Sequence, residues 1–529
     1  MVSIVSFVRG SVRARLARVV IGLAVLAIAV AGCGGSRRPA LSVVRWSVGH
    51  AAPAFDPDGP PDALRIAIER SLSRGLFERD SAGVVRAVAA ESAAFAADGR
   101  TLTIRLRAGL RFTDGTPATS ADFRAALLGG VGRSDHATRA WLLSEVTGMS
   151  KLRAGRPLPP LGIEAPDPRT VVIRLASRDT LLLEKLACPG MGVPWRHRAA
   201  PGWAGAIGLG PYRVAREVPG RELELVRADA VAPRRARADT IAIRFLLGAP
   251  RLRTLLRRGS PDLVWPLPPE LLTQEPPKGF AVGRLEARPP RRLLIVLRAD
   301  VPPTTRLPAR HALAHALNRE ELLAALAALG AHESAGREWL EGAGPYDFPR
   351  LDAGEARSWL ARGKLGASFH VTLAYDADGA AAEVARTLQG QWARLGLYAD
   401  LRPLRGPAAA ASPLAAATAQ VHLVEAAPPL PGAPAQLAAI VMPVRGPAVG
   451  SFRSGWRTRE FDHWIAGSSP PAGFPAEHAQ QRLADERIVL PLAVLPWTWV
   501  VRTGATGVRF DPETGVDFTR PAPPRPRSR

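Results

Sequence analysis

Cysteine is nearly absent. Cys33 and Cys188 are the two in the chain, so no set of intramolecular bridges can carry the fold, which must rest on hydrophobic cores. Lysine is scarce as well, found at Lys151, Lys185, Lys278 and Lys364, and arginine supplies the rest of the 70 basic residues behind a formal net charge of +23. That charge raises nucleic acid as a partner. The arginines are dispersed, however, with no basic stripe interleaved with aromatics, and the wealth of Ala, Gly and Pro beside them reads as coding bias towards G and C; nucleic-acid binding is not expected. Also missing are G-x-S-x-G, S-x-x-K, a P-loop, and G-x-G-x-x-G placed between strand and helix. With no nucleophile beside an identifiable base, an enzyme is not expected. His311 and His315 stand four apart, but Ala312 sits where a zincin needs Glu and no third ligand is near, so no metal and no cofactor is expected either.

Long hydrophobic runs are missing too. The longest, Val19 to Val30, follows the positive cluster Arg9, Arg13, Arg15 and Arg18 and ends at Val30-Ala31-Gly32-Cys33. It falls short of the roughly 20 apolar residues a span requires and has the length of a signal-peptide core. Small residues directly before a cysteine resemble a bacterial lipobox. Residues 1–32 are therefore expected to be a lipoprotein signal peptide, with Cys33 the lipidated first residue of the mature chain and a membrane tether through its acyl chains.

What the chain does have is 529 residues with 47% hydrophobic content, enough for two or three packed cores. Its most informative stretch runs from Phe95 to Leu127. Leu102, Ile104 and Leu106 alternate with Thr103 and Arg105, which predicts a half-buried strand. Asp98-Gly99 and Asp114-Gly115 supply turns, and Thr119 with Asp122 reads as an N-cap and a variant capping box for a helix whose apolar face is Phe123, Ala126 and Leu127.

This order of turn, strand, DGT turn and capped helix resembles the signature region of the family 5 extracellular solute-binding proteins, the oligopeptide-, dipeptide- and nickel-type receptors of ABC importers. The residues that carry the likeness are Gly99, Leu102, Thr103, Leu106, Arg107, Gly109, Phe112, Asp114, Gly115, Thr116, Pro117 and Ala121-Asp122-Phe123. The same family order continues at Ile163 to Val171, Gly210-Pro211-Tyr212-Arg213-Val214, Arg310 to Glu320, and finally Ala484 to Leu492. The resemblance implies an α/β fold of the type II periplasmic-binding-protein kind, in its large three-subdomain form, with two discontinuous lobes and a mixed sheet in each. The expected division is 33–74, 197–293 and 490–519 for the core of lobe I, 75–196 for an extra subdomain, 294–489 for lobe II, and 520–529 for a disordered basic tail.

Coarse periodicity fits this division. Ser42 to Val48 reads as a strand, Asp62 to Leu76 as a helix, and Gly210 onward as a hairpin turning at Pro219-Gly220. Pro308 to Leu329 reads as one long helix stopped by Gly330. Phe369 to Tyr375, a helix over Val384 to Leu395, and Leu397 to Leu401 form a βαβ crossover and hence a parallel pair.

The resemblance further implies a small solute, most simply a peptide or peptide-like molecule, captured by hinge closure and delivered to ABC permease subunits by a monomer outside the cytoplasm. The alternative is a lipoprotein of the same fold acting as a sensor or envelope interaction module. Candidate ligand contacts are Trp141, at a position where relatives often carry a pocket aromatic; Cys188 before Pro189; Arg133 and His136 on the same approach; and Trp265 and Trp456 as cleft walls. For each, burial in a core or solvation is the competing expectation. One departure stands out. Many relatives follow the strand at Gln420 to Val424 with Gly-Trp, an aspartate and a DP step, whereas this chain reads Glu425-Ala426-Ala427-Pro428-Pro429-Leu430-Pro431-Gly432. Glu425 is the one acid there and joins the candidate ligand contacts, although the resemblance does not carry an amine-anchoring role over to it.

Overall fold

The computed structural model describes residues 42–519 apart from 58–62, 132–136, 153–156, 158, 199, 229–237, 247, 273–274, 334–338, 367–368, 378, 405–417, 429, 431, 442–453, 457 and 465–474. Cys33, Arg133, His136 and the 520–529 tail thus lie outside the described residues. Three sheets organise the rest. The first has seven strands, in the order Tyr212–Val218, Glu222–Arg227, Thr240–Phe245, Val43–Val48, Leu263–Val264, Trp497–Arg502, Phe280–Leu285. The second has five, in the order Leu397–Leu404, Phe369–Asp376, Val421–Ala426, Arg291–Leu297, Val489–Leu495. The third, an antiparallel sheet of four strands, joins Ala90–Phe95, Thr101–Leu106, Thr170–Arg174 and Ile163–Asp167. The first two sheets are mixed, since each contains both parallel and antiparallel pairs.

Local sequence explains most of these elements. In Thr101–Leu106 the apolar side chains Leu102, Ile104 and Leu106 are buried while Thr103 and Arg105 are exposed, the period of two that a sheet with one wet face requires. Fully burying each such aliphatic chain stabilises the fold by about 1.5–3 kcal/mol. The turns before and after it use Gly99 and Gly115 at φ +67° and +87°, values costly for a residue with a Cβ. Thr119 then donates its amide to the Asp122 carboxylate at 2.7 Å and opens the helix Ser120–Leu128, as the capping-box reading expected.

The long helix expected at 308–329 is instead two, Leu307–His315 and Arg319–Leu326, followed by a 3-10 turn at Ala327–Leu329. Asn318 is the cause: it takes an extended conformation and its side chain accepts the Glu321 amide at 3.2 Å, so it caps a new helix in place of continuing the old one. The βαβ unit is present. Phe369–Asp376 and Leu397–Leu404 pair in parallel along their whole length, with the helix Ala381–Ala393 between them.

The chain passes between the first and second sheets twice, at 286–290 and at Pro496. The limits drawn from sequence at 293 and 490 therefore fall inside the strands Arg291–Leu297 and Val489–Leu495, both of which belong to the second sheet. Continuous apolar runs hid the change of sheet, because a strand buried on both faces looks the same on either side of a crossover. Separate apolar clusters fill the first sheet (Val44, Trp46, Ile241, Ile243, Leu263) and one face of the second (Leu293, Ile295, Leu373, Leu388, Trp392). A third cluster runs unbroken from the four-stranded sheet to the other face of the second sheet, through Leu294, Val296 and Val424. Among the described residues no helix is long and apolar enough to cross a membrane.

Candidate functional site

Strand direction locates the site. Val43–Val48 runs parallel to Thr240–Phe245 and Leu263–Val264, and the last is antiparallel to Trp497–Arg502, which starts at the Pro496 crossover. These three parallel strands therefore end on the side of the crossovers. In the second sheet Val489–Leu495 ends at the same crossover; Val421–Ala426, Phe369–Asp376 and Leu397–Leu404 share its direction. The carboxyl ends of parallel strands from both sheets thus meet the two crossing segments, and ligands of open α/β sheets bind outside such ends. At this place lie the loop after Val48, the Trp265-Pro266 step, Asp376 with the start of the helix Ala381–Ala393, and the strand end at Glu425 and Ala426.

A compact polar and aromatic assembly ties the crossovers together. Arg291 donates to the Glu425 carboxylate at 2.6 Å and to the carbonyl of Pro496 at 3.3 Å, and its guanidinium lies 4.1 Å from the ring centre of Trp497. The other Glu425 oxygen accepts the Ala380 amide at 3.0 Å, at the positive end of the following helix. Gly379 belongs to this packing: a Cβ there would meet Glu425 Oε1 at 2.8 Å. Trp497 continues inward to Trp265, with ring centres 5.7 Å apart, and Trp265 to Trp46 at 5.9 Å, while Trp46 Nε1 donates to the Trp265 carbonyl. Charge-assisted bonds of this kind are shorter and stronger than neutral ones, and the stacked guanidinium adds a cation–π contact.

The candidate residues divide into two groups. Trp265 and Glu425 belong to the crossover assembly through Trp497 and Arg291. Trp141, Cys188 and Trp456 belong to the third apolar cluster, where they are 4%, 5% and 8% exposed. Trp141 stands on the short helix Ala137–Leu142, and its buried indole Nε1 has no hydrogen-bond partner. Cys188 lies 3.7 Å from Arg79 Nη2 and its thiol contacts the Glu184 carbonyl at 3.5 Å; burial pushes the thiol up to about 11, against the pull of Arg79. Trp456 packs edge-on against Phe461 with ring centres 4.6 Å apart.

Residues that sequence reasoning passed over are prominent. Arg291 opens an apolar strand beside Arg292, and its partner is 134 positions away, so no local pattern announces it. Phe55 lies 5.0 Å, centre to centre, from each of Trp195, His197 and Trp203. Phe55 belongs to the bend Phe55-Asp56-Pro57, and its aromatic partners, far along the chain, are brought to it only by the fold. The hairpin of Arg509–Asp511 and Gly515–Asp517 is tied in by buried charges, since Arg79 bonds Glu513 in its turn at 2.6 Å and Arg70 lies 3.6 Å from Glu513; Arg79 also bonds Glu184 at 3.0 Å. Burial raises the Glu513 carboxyl above its ordinary value despite these arginines. For Glu78 burial acts the same way, but Arg74 and Arg70 outweigh it and hold the carboxyl low.

Comparison with known proteins agrees with this geometry. The family model for bacterial extracellular solute-binding proteins, family 5 Middle, matches residues 84–441. Over 168 residues the chain is 32% identical to the glutathione-binding protein GsiB of Escherichia coli O6:K15:H31, covering 32% of this chain and 30% of that protein. Over 261 residues it is 27% identical to GsiB of Escherichia coli K12, covering 48% and 47%. The matched stretches thus span between about a third and a half of those relatives. In fold the likeness spans most of the chain: Haemophilus influenzae OppA in complex with RPPGFSPFR superposes with a TM-score of 0.77 at 17% identity, covering 91% of this chain and 98% of that one. The murein tripeptide binding protein MppA of Escherichia coli superposes with 0.76 at 16% identity and the same coverage.

Proposed function

This chain belongs to the bacterial extracellular solute-binding proteins, family 5, and from that premise we propose that it captures a peptide or peptide-like solute between its lobes and delivers it to an ABC permease. The observation that supports this most is the convergence of strand ends from two mixed sheets on a pair of crossing segments, the arrangement by which two lobes close on a solute about a hinge. Its role is binding and not catalysis, and it acts as a monomer. Trp141, Cys188 and Trp456, which share one apolar cluster, are carried forward in this reading as solute contacts, and Trp265 and Glu425 as residues of the hinge; Arg133 and His136, the other two candidates, lie outside the described residues. Cys33, freed by removal of residues 1–32, carries the lipid that tethers the protein to a membrane of the cell envelope, outside the cytoplasm.

Glu425 bears on the class of solute. Its charge is matched by Arg291 and its other oxygen accepts the Ala380 amide, so in this reading the acid after Val424 braces the hinge and is not the anchor of a ligand's α-amine. Solutes that are neutral or blocked at that end bind at least as well as free peptides. Native mass spectrometry of the protein purified without denaturation tests the proposal: a co-purified peptide-like mass supports it, and a solute of unrelated chemistry that raises the melting temperature overturns it.

A further inference from the structure

We propose that Arg139 is a positioning residue that locks the bend Phe55-Asp56-Pro57 to the helix carrying Trp141, so that two parts of the cleft rim, one from each apolar cluster, move as one body. For its effect on binding this rests on the reading of Trp141 as a ligand wall; for its effect on the bend it does not.

Arg139 and Trp141 share the helix Ala137–Leu142. Through Nη1 the guanidinium donates to the carbonyls of Ala126, at 3.3 Å, and Gly129. These lie at the end of the helix Ser120–Leu128, where carbonyls lack intrahelical partners and a cation is favoured. Capping alone would account for one edge of the fork. The other edge does something else: Nη2 donates to the carbonyl of Gly190 at 3.0 Å, in the turn just after Cys188, and to that of Pro57 at 3.2 Å.

The Pro57 bond is the informative one. The neighbouring carbonyls of the bend are held from the first-sheet side, Pro53 by Trp203 Nε1 at 2.8 Å and Asp56 by Arg65 Nη1 at 2.6 Å. Trp203, and Leu64, Ala67 and Ile68 of the helix that carries Arg65, pack in the first-sheet cluster. Trp141 and Cys188 pack in the cluster that reaches the second sheet. Arg139 therefore joins a loop anchored in one cluster to a helix and a turn anchored in the other. The bend follows the carboxyl end of Val43–Val48, on the side of the crossovers, so its placement shapes the rim that a solute meets. A guanidinium suits the task, because its planar fork presents five donors in fixed directions, whereas an ammonium offers three from a single point.

Limited proteolysis and hydrogen exchange on the full chain test this, comparing wild type with R139M, R139K and W141F. In R139M cleavage within 50–57 proceeds about tenfold faster or more, while the strands Val43–Val48 and Thr170–Arg174 keep their wild-type exchange rates. R139K falls between, since its ammonium can still hold one of the carbonyls, and W141F leaves cleavage in the bend at the wild-type rate. Unchanged cleavage in the bend of R139M, or equal acceleration of exchange in all strands, overturns the proposal. Calorimetry with glutathione as the probe reads the consequence for binding. If wild type binds it, R139M weakens it about tenfold with partial rescue in R139K, and binding of R139M at wild-type affinity overturns the functional half. If glutathione binds neither wild type nor the variants, it is not this protein's solute, and cleavage and exchange in the bend alone decide the role of Arg139.

Discussion

Replacing Glu425 by Gln isolates the charge of the crossover assembly while keeping its shape. The amide can still accept the Ala380 N–H, so the helix Ala381–Ala393 keeps that contact; what is lost is the charge partner of Arg291, now 2.6 Å away. A hydrogen bond to a charged group contributes about 1.5–3 kcal/mol. The side chains of Arg291 and Glu425 are 19% and 22% exposed, so water screens part of that. We expect a loss of about 1–2 kcal/mol, with Arg291 still resting on Trp497 and Pro496. Denaturant titration of the ligand-free protein measures it, and a cycle with Arg291→Met assigns it: if the two residues act as one brace, the double mutant costs less than the sum of the singles. Binding supplies the sharper discrimination. With Glu425 in the hinge, E425Q changes the affinities of a free peptide and its N-acetylated form by the same factor. A tenfold or greater loss confined to the free amine would show that Glu425 anchors ligand, and would refute the reasoning.

Trp141 is buried and its Nε1 is unpartnered, so Trp141→Ala should destabilise by about 3–5 kcal/mol, and the informative variant is Trp141→Phe, which should melt near wild type while weakening solute binding in calorimetry. His422 and His311 are held near about 3 and about 4 by burial, below the ordinary 6.5. The unfolded chain therefore takes up their protons first, and stability should fall as pH drops from 6.5 towards 4, by at most about 1.4 kcal/mol per unit for each histidine; a denaturant series flattened by His422→Asn supports this and an unchanged slope contradicts it. Cys188, with its thiol pushed up to about 11 by burial, should resist iodoacetamide in the native protein and react once unfolded, as mass spectrometry would show. Cys33→Ala should abolish incorporation of labelled fatty acid and release the protein from membranes; persistent labelling would dismiss the lipid tether.

Much of the fold was legible because its signals are local. The alternation at Leu102, Ile104 and Leu106, the glycine turns on either side and the Thr119 cap each depend on a few neighbouring residues, and the structure has them where the pattern puts them. The helix broken at Asn318 was missed because a strong apolar period runs through it, and because the Asn318 amide, turned out of the helix, is taken at 2.9 Å by Gln391, 73 positions away. The site was read less completely for the same reason. Aromatics such as Trp141 and Trp265 can be picked out in a sequence, but whether they line a cleft or fill a core depends on which cluster they join. Arg291, Arg139 and Phe55 owe their roles to partners that only the tertiary fold brings within reach.

Hinge capture is the central claim, and small-angle scattering beside a thermal melt tests it most directly. The solute identified by native mass spectrometry, added at a hundredfold excess over its dissociation constant, should stabilise the closed form by about 2.7 kcal/mol. The melting temperature should rise and the radius of gyration should shrink together. A solute that raises the melting temperature while the radius stays as it was would contradict closure about the crossovers at 286–290 and Pro496.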